Sequence, residues 1–305
     1  MAHDHDHSHG TGNVSDGVLL WTVIVNLGLS VFEFAAGIFA GSVALMADAL
    51  HNTNDAAALG IAYIARKISR KGADAEYTFG YRRAELIGAM IQLTALIVVG
   101  LYLVYEAVKR MINPEPLLGE WMMIAAGVAL VVDIATAWLL WSMSKGSLNV
   151  KAAFLHNLTD AAASLAVLAG GAAITWLEWK WVDPVLTLGI AGYILWMSVG
   201  MLRRTSGILM EGSPPDFPFN ELREAVESLD DVVGLHHLHV WELDEDHRAL
   251  EAHIVIDDIP PDTRATLRKK VKVLLHDDFQ ISHSTLEFET EAHGCDVQDC
   301  GHSHA

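Results

Sequence analysis

Apolar residues run almost unbroken over about 17–40, 42–66, 84–110, 119–143, 150–178 and 182–202. Each stretch is near the ~20 residues that an α-helix needs to cross ~30 Å of hydrocarbon. Gly41 alone separates the first two, which predicts a tight helical hairpin. After Ser213-Pro214-Pro215, a predicted hinge, the pattern changes. Residues 219–229 have helical spacing, 233–242 and 248–257 alternate like strands joined by a charged turn, 262–277 is amphipathic, and 281–289 alternates again. The predicted fold class is therefore an α-helical membrane protein with six transmembrane helices plus a C-terminal α+β domain of order αββαβ. The predicted divisions are a histidine-rich tail (1–16), a membrane domain (17–211), a metal-binding and dimerisation domain (212–290) and a Cys/His-rich tail (291–305).

Composition agrees: 52% of the 305 residues are hydrophobic and 19% charged, which excludes an ordinary soluble domain. Charge is divided unevenly. Residues 212–305 hold 21 Asp and Glu against 7 Lys and Arg, a net of −14 out of −18 for the chain. With no basic stripe, nucleic acid is excluded as a partner, and metal cations fit better. The two cysteines are too few and too local for a disulfide framework. Arg66, Lys67, Arg70, Lys71, Arg82 and Arg83 follow the second stretch, Lys145 and Lys151 the fourth, Arg203 and Arg204 the sixth. Only Lys109, Arg110 and Lys180 lie on the opposite side. The positive-inside rule then puts both termini and the acidic domain in the cytoplasm of a multi-pass protein of the cell inner (plasma) membrane. The polar start, Met1–Gly17, lacks the features of a cleaved signal peptide.

One octapeptide pattern occurs twice. His51-Asn52-Thr53-Asn54-Asp55-Ala56-Ala57-Ala58 lies in the second stretch and His156-Asn157-Leu158-Thr159-Asp160-Ala161-Ala162-Ala163 in the fifth. A histidine and an aspartate four apart lie one turn apart on one helix face. Two such helices offer two imidazoles and two carboxylates, a tetrahedral set suited to Zn²⁺ and less so to Mg²⁺ or Ca²⁺. A bonded polar pair in a bundle core is the bland alternative for either pair alone. Two matched pairs favour a metal site, because an aspartate within a span costs about 2.5–3.5 kcal/mol. The alanines after each motif let the two helices approach closely. Asp48 lies three residues before His51 and could be a ligand on the way in, a proton acceptor or an orienting outer residue. Asn26, Glu33, Gln92 and Asp133 either line a cavity or bond between helices.

These motifs, with Ala47-Asp48-Ala49-Leu50-His51, Tyr77-Thr78-Phe79-Gly80-Tyr81-Arg82-Arg83-Ala84-Glu85 and Leu238-His239-Val240-Trp241, resemble the cation diffusion facilitators over the whole chain. The resemblance is to the zinc-type group, with His-x-x-x-Asp in both spans. It implies a homodimer in the lipid bilayer that exchanges Zn²⁺ for protons, with a metallochaperone-like cytoplasmic domain and no enzyme activity. It gives His51, Asp55, His156 and Asp160 the transport-site roles. It also matches Arg83 and Glu211 to a charge interlock, with Arg82 as the competing partner. A metal site in the loop after span 2 is missing here or reduced to Asp74 and Glu76, since Arg70–Tyr81 has no histidine. In similar domains metal bridges two protomers, and His236, His253, His283 and Glu289 occupy the matching positions; any one alone also reads as a surface residue.

The tails carry further donors. His3, His5, His7 and His9 form a flexible metal-catching tract, with an expression tag as the alternative. Cys295, Cys300, His302 and His304 either complete a soft site, with Zn²⁺ as a regulatory ligand, or form a reduced tail. The mechanism that follows is proton-coupled efflux of Zn²⁺, with Cd²⁺, Co²⁺ and Ni²⁺ as chemically similar ions, by alternating access. A membrane-anchored zinc sensor or scaffold is the alternative. No His-Glu-x-x-His or Gly-x-x-x-x-Gly-Lys-Ser/Thr motif points to hydrolase or primary-pump chemistry.

Overall fold

A computed structural model describes residues 16–143, 148–290 and Ala292, without the side chains at 16–23, 59, 139–143 and 148–156. Six long helices come first: α1 (Asp16–Ala40), α2 (Val43–Ser69), α3 (Ala84–Ile112), α4 (Gly119–Met143), α5 (Leu148–Leu177) and α6 (Val182–Leu209). The helices α2 and α6 outrun their apolar stretches, to Ser69 and Leu209, because a helix continues into polar sequence until a breaker stops it. Among the described residues Ala84–Ile112, Gly119–Trp138, Asn157–Leu177 and Val182–Leu209 are apolar and long enough to cross a membrane, and Ile24–Ala40 is a shorter apolar helix. The second helix carries Asp48, His51, Asn52, Asn54 and Asp55 within the bundle, which lowers its mean hydropathy.

One compact unit comprises residues up to 63 with 91–201, the other 64–90 with 202–305. In the first, α1 ends in a left-handed Gly41 (φ 71°), and the Ser42 amide donates to the Gly37 carbonyl at 2.9 Å. That arrangement is a Schellman end, which fits glycine because a Cβ disfavours positive φ. The Ser42 hydroxyl then accepts the Leu45 amide at 3.1 Å, so the residue after the turn starts α2. Ala40, Ala44, Leu45, Met122, Ala125, Ala126, Val167 and Ile174 join α1, α2, α4 and α5 in one buried cluster. Val43, Ala47, Leu103 and Ala191 join α2 to α3 and α6 in another. Small side chains dominate both, as close helix packing requires where burial from water supplies no driving force.

The second unit ends in α7 (Phe219–Glu227), β1 (Val232–Glu242), β2 (Arg248–Ile256), α8 (Pro261–Asp277) and β3 (Ile281–Glu289). The sheet order is β1-β2-β3, with β1 antiparallel and β3 parallel to β2. Leu222 and Val226 of α7 and Leu267, Val271 and Leu275 of α8 are buried at helical spacing. They pack with Leu235, Val240, Leu250, Ile254 and Ile281 of the strands into one core. Each strand can thus turn its alternate residues away from that core.

Candidate metal centres

In the membrane unit α2 carries Asp48, His51 and Asp55 at helical spacing. The His51 Nε2 lies 3.8 Å from the Asp55 Oδ2, the one-turn pairing expected from the motif. His51 and Asp160 are buried, while the Asp55 side chain keeps 30% of its surface. His156 lies on α5 one turn before Asp160, and its side chain is outside the described residues. The second residue of each repeat ties its helix to the preceding one. Asn52 donates from Nδ2 to the Glu33 carboxylate of α1 at 3.4 Å, and the Asn157 Oδ1 accepts the Thr136 hydroxyl of α4 at 2.8 Å. Sequence reading singled out the histidines and aspartates and passed over these asparagines. Their matched positions were the available signal.

More buried acids surround the pairs. Glu33, Asp48 and Asp133 are all buried, and the Ser164 hydroxyl donates to the Asp133 Oδ2 at 2.9 Å. At the hairpin end of α2, Asp183 of α6 accepts the Ser42 hydroxyl at 2.5 Å and the Val43 and Ala44 amides at 3.0 and 3.3 Å. A carboxylate there meets both the unpaired amides and the positive end of the helix dipole.

In the soluble domain, donor atoms of His236, His253 and Glu289 all lie within 4.8 Å of one another. Ladder pairing sets His236 opposite His253 across β1 and β2, and Glu289 opposite Val255 across β2 and β3. The buried Glu289 Oε1 lies 2.9 Å from the His236 Nε2 and 2.6 Å from the His253 Nδ1. Two imidazoles and a carboxylate in that arrangement fit Zn²⁺ with an open coordination position. His283 pairs with Ala249 instead, four ladder positions from His253, and its ring meets Phe79 at 5.4 Å. An irregularity between His236 and His239 puts His237 at φ 50° and brings its ring to 4.6 Å from that of His253. A register slip of this kind leaves no mark in an alternating pattern.

The same unit holds three arginine pairs. Arg83 reaches Glu211 at 3.3 Å and Arg82 reaches Asp244 at 3.4 Å, so the two arginines do not compete for one partner. Arg204 grips the buried Glu242 with both nitrogens at 2.5 Å, a bidentate pair that sequence reading missed. In the loop after α2, Asp74 accepts the Glu76 and Tyr77 amides at 2.9 and 2.7 Å and the Tyr81 hydroxyl at 2.8 Å. The Tyr77 amide and the Tyr81 hydroxyl hold its carboxyl below the ordinary carboxylate range, and the same bond raises the Tyr81 phenol. Asp74 thereby organises the loop. His3, His5, His7, His9, Cys295, Cys300, His302 and His304 lie outside the described residues.

A family model described as the cation efflux transmembrane domain matches residues 19–210, and one described as the cation efflux protein cytoplasmic domain matches 214–291. The chain is 32% identical over 294 residues to the cadmium, cobalt and zinc/H(+)-K(+) antiporter of Bacillus subtilis, covering 95% of this chain and 94% of that one. It is 33% identical over 315 residues to the zinc transporter ZitB of Escherichia coli, covering 100% and 99%. To the metal cation efflux system protein CzcD of Cupriavidus metallidurans it is 31% identical over 289 residues, covering 95% and 90%.

Proposed function

We propose, for a chain that belongs to the cation efflux family and is a membrane transporter and no enzyme, that it exports Zn²⁺ from the cytoplasm in exchange for protons. The observation that carries this reading is the repeated His-x-x-x-Asp pair, with His51 and Asp160 buried among membrane helices. His51, Asp55, His156 and Asp160 bind the ion as substrate through two nitrogens and two oxygens. Cadmium and cobalt, which appear in the name of the Bacillus relative, accept the same donors.

Neutral imidazoles and ionised carboxylates take the ion while the pairs face the cytoplasm. When the bundle opens to the other side, protons compete for the same lone pairs and the ion leaves. Histidine suits that exchange because its ordinary pKa, about 6.5, lies within the range that a transmembrane proton gradient covers. Asn52 and Asn157 orient the helices that carry the pairs, through Glu33 and Thr136.

The divisions 1–16, 17–211, 212–290 and 291–305, inner-membrane placement and cytoplasmic termini belong to the same reading, supported by the arginine- and lysine-rich loops on one side. Two copies associate, with Arg83 and Glu211 as the interlock. His236, His253 and Glu289 hold a regulatory Zn²⁺, with His283 contributed from the neighbouring copy, and the tail histidines and cysteines gather metal near the cytoplasmic mouth.

Everted vesicles carrying the protein test this. They take up Zn²⁺ when a proton gradient is imposed, and His156→Ala or Asp55→Ala abolishes uptake. Uptake that is absent in the intact protein, or unchanged in both variants, overturns the reading. Retained metal binding without uptake would instead identify a sensor.

A further inference from the structure

Glu33 of α1, Asp48 of α2 and Asp133 of α4 are 0%, 2% and 3% exposed, and the four-residue transport site uses none of them. They form one group. Asn52 holds the Glu33 Oε2, and the Ser164 hydroxyl that donates to Asp133 also hydrogen-bonds Asp48. The charges of Asp48 and Asp133 act on Glu33 more strongly than that of Asp160.

Two observations within the group point to a missing cation. The Glu33 Oε1 and the Asp48 Oδ2 are buried with no hydrogen-bond partner among the described residues. A serine hydroxyl has a single hydrogen, and that of Ser164 goes to Asp133, so its contact with Asp48 brings two oxygens together with nothing positive between them. Three carboxylates gathered in a bundle core without a compensating charge are strongly unfavourable.

The group also has a direction. Asp48 precedes His51 by three residues, about 4.5 Å along α2 toward the Gly41 turn. Ser164 follows Asp160 by four, about 6 Å along α5 toward its C-terminal end. The ends approached are the same side of the bundle, since Ser42 at the start of α2 bonds Asp183 at the start of α6.

We propose that Glu33, Asp48 and Asp133, with the Ser164 hydroxyl, form a second divalent-cation site made of oxygen ligands alone, one helical turn from the His/Asp pairs toward the α1–α2 hairpin. Oxygen-only sets suit harder cations and hold a borderline ion less tightly than sets containing imidazole. The site therefore passes the transported ion on and does not retain it. Its role as a relay rests on the transport reading above, whereas its capacity to bind does not.

Mn²⁺ is the probe, because it favours oxygen donors and its free form is counted by electron paramagnetic resonance. The background is the full chain in detergent with Asp55→Asn, Asp160→Asn and Glu289→Gln, which removes the two nitrogen-containing sites. Adding Glu33→Gln and Asp48→Asn is expected to remove one bound Mn²⁺ per protomer. An equal count with and without those two changes overturns the proposal. Should the combined variant not fold, Glu33→Gln and Asp48→Asn singly in the wild type are each expected to weaken one Mn²⁺ site roughly tenfold or more. Unchanged titrations there overturn it equally. Failed Zn²⁺ uptake with the Mn²⁺ count intact would sink the transport reading and leave this site standing.

Discussion

The start of α2 depends on a residue 140 positions away, because Asp183 accepts the Ser42 hydroxyl at 2.5 Å, the Val43 amide at 3.0 Å and the Ala44 amide at 3.3 Å, all buried. Asp183→Ala leaves that hydroxyl and those two amides without an acceptor. An N-cap is worth about 1 kcal/mol and a hydrogen bond to a charged group about 1.5–3 kcal/mol. Three shared bonds to one carboxylate are not additive, so the expected loss is about 3–5 kcal/mol. Asp183→Asn keeps one accepting oxygen and should lose about half as much. For a protein of this size 1 kcal/mol moves Tm by about 2–4 °C, so the alanine variant should melt roughly 10 °C lower in detergent, followed by tryptophan fluorescence. The consequence reaches the ion site, since Asp48 and His51 are five and eight residues into the helix that this cap fixes. An alanine variant within about 2 °C of wild type, or an asparagine variant that melts below it, would refute the reasoning.

Other consequences follow from the same geometry. Leu222→Ala, at a fully buried position of the soluble-domain core, should destabilise that domain by about 2–5 kcal/mol, read from amide exchange in β1 and β2. A Cβ on Gly171 would come within 2.9 Å of the Met123 side chain and 3.0 Å of its backbone nitrogen, so Gly171→Val should push α4 from α5 and lower Tm, whereas an unchanged melting curve contradicts the packing. Because the Asp74 carboxyl is held below its ordinary value, its loop bonds are complete above about pH 4 and are lost as pH falls through the lower folded value. Its partner Tyr81 should ionise above about pH 10 and return toward that value in Asp74→Asn, followed by ¹³C-tyrosine NMR; identical titrations in both proteins refute the bond. His253→Ala should remove one Zn²⁺ from the soluble domain in equilibrium dialysis, and a retained ion would contradict the three-residue cluster.

Much of this architecture is legible in the chain because hydrocarbon and water impose different periods. The six apolar stretches and the αββαβ alternation each reflect a face that must be buried, and the strands β1, β2 and β3 begin and end within a residue of that pattern. The paired motifs are legible for a different reason: helical geometry converts a spacing of four into one face. What escaped reading is what depends on a distant partner. Asp183 looks like an ordinary residue at a helix start until Ser42 is placed beside it. Arg204 and Glu242 carry no mutual signal along the chain. His283 looked equivalent to His236 and His253, yet the parallel register of β3 carries it to the other end of the ladder. The acids Glu33 and Asp133 were visible as buried charges, but only Ser164 and Asn52 reveal that they form one group with Asp48.

The central claim is that α2 and α5 each lend an imidazole and a carboxylate to one divalent ion. X-ray absorption at the zinc edge tests it most directly, on full-length protein whose tail histidines and cysteines and His253 have been replaced. The account predicts one Zn²⁺ per protomer in a shell of two imidazole nitrogens and two oxygens, lost when Asp55→Asn and Asp160→Asn are combined. A shell with one imidazole or none, or a zinc content indifferent to both substitutions, would contradict it.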